Sequence, residues 1–88
     1  MTDYSLSQNY PNPFNPSTVI KYELPNVNHV TLKIYDILGK EVAVLIDKEQ
    51  ENGRYEVAFD GSKLSSGVYI CQIRAGEFVK SIKMSLVK

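Results

Sequence analysis

Apolar residues in this chain nowhere recur at helical spacing over three turns. They alternate with polar ones in short runs broken by glycine, asparagine and aspartate. That pattern predicts an all-β domain with almost no helix. Segment 17–24 sets Ile20, Tyr22 and Leu24 against Lys21 and Glu23, and Pro25 stops it because proline has no amide hydrogen for a ladder. Segment 29–36 sets Val30, Leu32 and Ile34 inward and Thr31, Lys33 and Tyr35 outward, and Asp36–Gly39 reads as a turn. Segment 41–46 is a short, nearly continuous apolar strand, followed by a charged loop over 47–52 that closes at Asn52-Gly53. Segment 54–60 points Tyr55, Val57 and Phe59 inward. Segment 68–74 buries Tyr69, Cys71 and Ile73, and Ala75-Gly76-Glu77 turns the chain into 78–87.

In that last run Phe78, Ile82, Met84 and Leu86 form the apolar stripe. Lys80 interrupts it, which predicts a strand start near the rim or a bulge. Six strands, with a seventh offered by residues 4–10, fit a small two-sheet sandwich with turns every 8–12 residues. Residues 1–9 are expected to be a linker containing that extra strand, and residues 10–88 the domain. The stretch 9–17, Asn-Tyr-Pro-Asn-Pro-Phe-Asn-Pro-Ser, is stiffened by its prolines. It reads as an opening segment whose Tyr10 and Phe14 pack on the sandwich edge, in preference to a ligand for a polyproline-binding groove.

At 88 residues the chain builds one core. Ten basic and ten acidic side chains cancel, which argues against a nucleic-acid module. No apolar stretch approaches the roughly 20 residues that span a bilayer as a helix, so no transmembrane segment is expected. The polar start, Met1-Thr2-Asp3-Tyr4-Ser5, has no signal-peptide layout. Cys71 is the single cysteine, so an intrachain disulfide is ruled out.

The residues offer little chemistry. Cys71 in mid-strand reads as a small buried residue and not as the nucleophile of a dyad with His29, which would need an exposed thiolate. Nucleophile elbows, phosphate loops and acid-rich calcium loops are absent from the sequence, and Cys71 with His29 is too few ligands for zinc. No enzyme activity, cofactor or metal is expected. Asp47, Glu49, Glu51, Glu56 and Asp60 read as a solvated face. Beyond Phe78 the chain carries Lys80, Lys83 and Lys88 and no acid. Such lysines either discourage edge-to-edge pairing or are read by a receptor or an anionic surface, and spacing alone does not separate the two.

Four strings together resemble a known family. They are Tyr10-Pro-Asn-Pro-Phe-Asn-Pro-Ser-Thr-Val-Ile, Val30-Thr-Leu-Lys-Ile-Tyr-Asp-Ile-Leu-Gly39, Leu64-Ser-Ser-Gly-Val-Tyr69 and the closing run to Lys88. In order, over residues 8–88, they resemble the C-terminal sorting domain of the type IX (Por) secretion system, itself related to the immunoglobulin-like domain of the flagellar hook-capping protein. The resemblance implies an immunoglobulin-like sandwich of about seven antiparallel strands that directs an attached N-terminal cargo across the outer membrane of Bacteroidetes-type bacteria. It implies transit through the periplasm, recognition by the outer-membrane translocon, and a sortase-type surface protease that removes the domain and joins the cargo to anionic lipopolysaccharide. A cleavage point is expected upstream of Tyr10, and the chain, lacking an export signal, is expected to be a piece of a longer protein.

By motif, Pro11, Pro13, Asp36 and Gly39 carry over as structural positions. Lys80, Lys83, Lys88, Gly67 and Tyr69 carry over as translocon-recognition positions. Cys71 stands where such sequences often have an aromatic or aliphatic residue. The last strand could dock a receptor by strand addition with the lysines setting register, and the same edge could pair two copies into a homodimer. The spacing of Tyr69 also fits a tyrosine corner, in which the hydroxyl bonds to upstream backbone. The alternative reading is an accessory module gripping carbohydrate or protein through exposed tyrosines such as Tyr4, Tyr10 and Tyr35, or a spacer of a secreted multidomain enzyme.

Overall fold

The structure, a computed structural model, describes residues 3–88. β1 (Ser5–Leu6), β2 (Ser17–Leu24) and β5 (Gly53–Asp60) form one sheet in the order β1-β2-β5. β3 (Asn28–Tyr35), β4 (Glu41–Gln50), β6 (Gly67–Ala75) and β7 (Phe78–Leu86) form the other, in the order β4-β3-β6-β7. All strand pairs are antiparallel, and no helix occurs among the described residues. This is the expected immunoglobulin-like sandwich of seven strands.

The period-two alternation decides which faces meet. Ile20, Tyr22 and Leu24 of β2 and Val30, Leu32 and Ile34 of β3 belong to one core between the sheets, all essentially inaccessible to solvent. Without a cross-link, burial of such side chains supplies the stability, at about 1.5–3 kcal/mol each. The Tyr22 ring stacks on Tyr55 with centroids 5.2 Å apart, and its hydroxyl donates to Gln50 Oε1. Burial pushes the Tyr22 phenol up to about 12, against a smaller lowering by the Gln50 hydrogen bond.

Three expectations are corrected. Residues 47–50 are not loop: β4 runs on to Gln50, with Asp47, Lys48 and Glu49 opposite Thr31, Val30 and His29. β4 is an edge strand, so charged side chains remain hydrated there while the backbone still pairs, and the charge run hid the strand. No bulge accompanies Lys80, because β7 pairs with β6 in unbroken register from Phe78↔Ala75 to Leu86↔Gly67. The irregularities lie between β3 and β4, opposite Leu32/Lys33 and Ile34/Tyr35. They insert Leu45 and Val42, which explains why 41–46 reads as nearly continuous apolar sequence. Finally, Phe14 and Tyr10 do not share the edge. Phe14 is buried in the core beside Phe59, whereas Tyr10 is 80% exposed.

Near the N-terminus Leu6 of β1 is buried, and Ser5 and Leu6 pair with Glu23 and Tyr22. The strand offered by residues 4–10 thus contracts to two residues. Met1 and Thr2 of the expected linker lie outside the described residues.

Candidate functional site

β7 is an outermost strand, and its free side is the candidate site. Its even-numbered residues face the core, with Met84 and Leu86 buried and Phe78 and Ile82 half-buried. Lys80 shares that face yet is exposed. The odd-numbered residues turn their backbone groups away from β6, as the alternation of an antiparallel ladder requires.

On the half nearer the C-terminus those groups are already taken. The Phe14 N–H donates to Ser85 O at 2.8 Å and the Val87 N–H to Phe14 O at 2.9 Å, in a parallel bridge of Phe14 with Leu86. The Ser85 N–H donates to Asn12 Oδ1 at 2.9 Å, and Gln8 Nε2 donates to Lys83 O at 2.7 Å. Residues 8–14 therefore cap the edge.

The cap is itself fastened from behind. Asn9, buried, donates through Nδ2 to Thr18 Oγ1 at 3.0 Å and to Pro11 O at 3.2 Å, and the Thr18 hydroxyl donates to Pro11 O at 2.9 Å. Tyr10 and Val19 exchange backbone hydrogen bonds. The peptide bonds preceding Pro11, Pro13 and Pro16 are cis. At Gly61 a Cβ would come within 3.2 Å of Leu86 and 3.3 Å of the Phe14 ring, so a side chain there would press both by a few tenths of an ångström.

The half nearer the turn is open. The outward backbone groups of Val79 and Ser81, and the N–H of Lys83, meet no partner among the described residues. Lys80 and Lys83 lie on this stretch, opposite Ile73 and Ile70 of β6, and neither forms an ion pair among the described residues. Lys88 lies apart from them: its N–H donates to Ser66 Oγ and its Nζ to Ser62 O, at the far end of the strand. Gly67 opens β6 at φ +153°, a conformation that favours glycine although a Cβ there would meet nothing. The Tyr69 hydroxyl donates to Ser65 O at 2.7 Å, the tyrosine corner that the spacing predicts.

Asp36 and Gly39 build the β3–β4 turn. Asp36 Oδ1 accepts from the Leu38 and Lys40 N–H groups, both at 2.9 Å, and Gly39 adopts φ +85°. Elsewhere the chemistry is sparse. Cys71 is buried, and burial pushes its thiol up to about 12, so it stays protonated at neutral pH. His29 Nε2 lies 2.7 Å from Asp47 Oδ1 on the exposed surface, and no group of three or more potential metal ligands occurs among the described residues. The tyrosines of the alternative reading are scattered. Tyr4 stacks on Phe78 and its hydroxyl accepts from Asn28, and Tyr35 is half-buried, which leaves Tyr10 exposed.

Sequence reasoning missed the cap. The signal was present in the spacing Gln8-Asn9…Asn12…Phe14, but partners more than 70 residues away give it no local meaning.

The described residues thus form a folded sandwich whose last strand has a capped and an unpaired stretch of edge. Residues 8–88 match the family model of the secretion system C-terminal sorting domain, and the chain belongs to that family. Such a domain is a C-terminal sorting signal for type IX secretion, a non-catalytic role, and marks a protein bound for the outer-membrane surface or the outside. Among solved structures, PorZ of Porphyromonas gingivalis, described as an essential bacterial surface component of the type IX secretion system, is similar in fold. It is 21% identical, with a TM-score of 0.56 over 97% of this chain and 11% of its own. The chain thus spans about a tenth of the length of that relative. No curated protein gives a significant match. No helix among the described residues is long and apolar enough to cross a membrane, which says nothing of β-barrels.

Proposed function

We propose that the open stretch of β7, Val79 to Lys83, is what the outer-membrane translocon reads, by adding a strand to it while Lys80 and Lys83 set register and partner charge. The observation that carries this reading is the contrast along one strand: the cap occupies the groups from Lys83 O to Val87 and leaves those of Val79 and Ser81 free. Gly67 and Tyr69 serve recognition by shaping the entry into β6, Tyr69 through its bond to Ser65 O, and Lys88 serves by fastening the chain end. Cargo on the N-terminal side passes through the periplasm and meets a sortase-type surface protease after export. The role is one of recognition, and Cys71, buried and protonated, is part of the packing behind the edge.

The test is a periplasmic reporter fused ahead of this chain in a type IX-competent host. The fusion is expected at the cell surface. With Lys80→Glu and Lys83→Glu it is expected to fold but remain in the periplasm. Surface display of that variant at normal yield would refute the open-edge reading.

A further inference from the structure

The outermost strands of the two sheets are not equally protected. β1 is only two residues long. β4 breaks its ladder twice, and β7 is half covered by residues 8–14. Both of these also carry an exposed lysine on the inner face of the sheet, Lys48 opposite buried Val30 and Lys80 opposite buried Ile73. Any strand added there would have to desolvate that charge. β5 has none of these devices. It pairs with β2 in unbroken register over all eight residues, and its inner face is Tyr55, Val57 and Phe59.

The Gly61 N–H donates to Pro16 O at 2.8 Å, extending the β2–β5 ladder. The odd-numbered residues of β5 therefore turn their backbone groups to β2, and the even-numbered ones turn theirs away. The N–H and C=O groups of Arg54, Glu56, Ala58 and Asp60 meet no partner among the described residues, a longer free edge than that of β7.

This edge is complementary to itself. Laid antiparallel about a two-fold axis at Val57, two β5 strands set Arg54 opposite Asp60 and Glu56 opposite Ala58, and every outward residue is used. On the inner face Tyr55 then stands opposite Phe59, and Val57 opposite Val57. No like charges stand directly opposite. The next registers on either side set Glu56 against Glu56, or Glu56 against Asp60. Within one copy Arg54 meets Glu23 at 3.4 Å and Glu56 meets Lys21 at 3.9 Å, so those four charges cancel. Asp60, whose carboxylate accepts from the Ser62 N–H, forms no ion pair among the described residues. It is the charge that Arg54 of a second copy would reach.

We propose that two copies of this chain join β5 to β5 in that register, extending the first sheet across the pair. A contact made by one strand from each copy is small, so the dimer is reversible and grows with concentration. It leaves the open stretch of β7 untouched and does not depend on the export reading, so either can fail alone.

The test is analytical ultracentrifugation of the purified 88-residue chain over a range of concentrations, with amide exchange at both ends of the range. Dimers are expected to accumulate, and the Arg54, Glu56, Ala58 and Asp60 amides to become protected while those of Val79 and Ser81 do not. Ala58→Pro removes an outward N–H that β2 does not use, so it should abolish the dimer and keep the native circular dichroism. Arg54→Asp and Asp60→Arg each set like charges opposite one another and should each weaken association about tenfold. An equimolar mixture of the two restores opposite charges at both ends and should associate as the parent does. A parent chain that stays monomeric up to about millimolar concentration would overturn the proposal. So would protection at Val79 and Ser81 instead of β5, a dimer that survives Ala58→Pro, or a mixture no better than either variant alone.

Discussion

Along β7 one outer edge is protected in two different ways. From Lys83 to Val87 it is closed by four hydrogen bonds from residues 8–14, backed by a buried phenylalanine. At Val79 and Ser81 it is unpaired, and the guard is Lys80, a charge on the core-facing side that a second sheet edge would have to desolvate. Pairing removes an edge from all further use. Charge removes it only from partners that cannot answer the charge. The second device therefore suits a surface that must stay single until it meets one receptor, and it leaves the homodimer expected from an exposed edge to be tested.

The largest effect is expected from breaking the closed half. Phe14→Ala should cost about 3–5 kcal/mol in urea unfolding and raise amide exchange at Val87 and Ser85 to the level of Val79 and Ser81. A loss under about 1 kcal/mol would mean that the ring does not hold the cap. If charge and cap together keep the edge single, this variant should also self-associate more than the parent chain in analytical ultracentrifugation.

Beneath the open half, Cys71 lies opposite Ile82. Its thiol ordinarily ionises near 9.0, and burial moves that to about 12 in the fold. The unfolded chain therefore loses a proton that the folded chain keeps, so the contribution is fully present below pH 9 and is lost as pH rises from 9 towards 12. At pH 10 the loss is about 1.4 kcal/mol, measurable by urea titration across pH. Cys71→Ala should flatten this first part of the alkaline decline and leave the part from Tyr22, whose phenol is likewise pushed up to about 12.

Tyr69→Phe, away from the edge, should cost about 1 kcal/mol and leave exchange at Ser85 and Val87 unchanged. Loss of edge protection in that variant would merge two regions that the hydrogen bonds keep separate. Asn12→Ala is the mildest probe. It removes one exposed bond worth about 0.5 kcal/mol, yet should accelerate exchange of the Ser85 amide specifically.

The sequence exposed the sandwich wherever one face of a strand is buried and the other wet, as in β2, β3, β5 and β6. Alternation is the direct imprint of that environment. It failed where the environment differs. The second half of β4 lies at an edge with both faces hydrated, so Asp47-Lys48-Glu49 carried no imprint although it pairs along its length. The site was half legible. Lys80 and Lys83 were visible as an acid-free run, but the limits of their edge were not, because residues 8–14 close it across most of the chain's length. Tyr10 and Phe14 illustrate the gap: two aromatics in one proline-rich string, one in solvent and one in the core, separated by which of them the cap turns toward Phe59 and Leu86.

The cap also has a mechanical meaning. Residues 8–14 and the end of β7 run side by side in the same direction, joined at Phe14 and Leu86. Traction toward Gln8 on one and toward Lys88 on the other loads the hydrogen bonds of that joint together, in shear, and does not peel them one by one. A tug between what lies ahead of Gln8 and whatever grips Lys88 would be shared between this seam and the bonds that tie Ser5–Tyr10 to β2, so the cap and the first sheet resist it together.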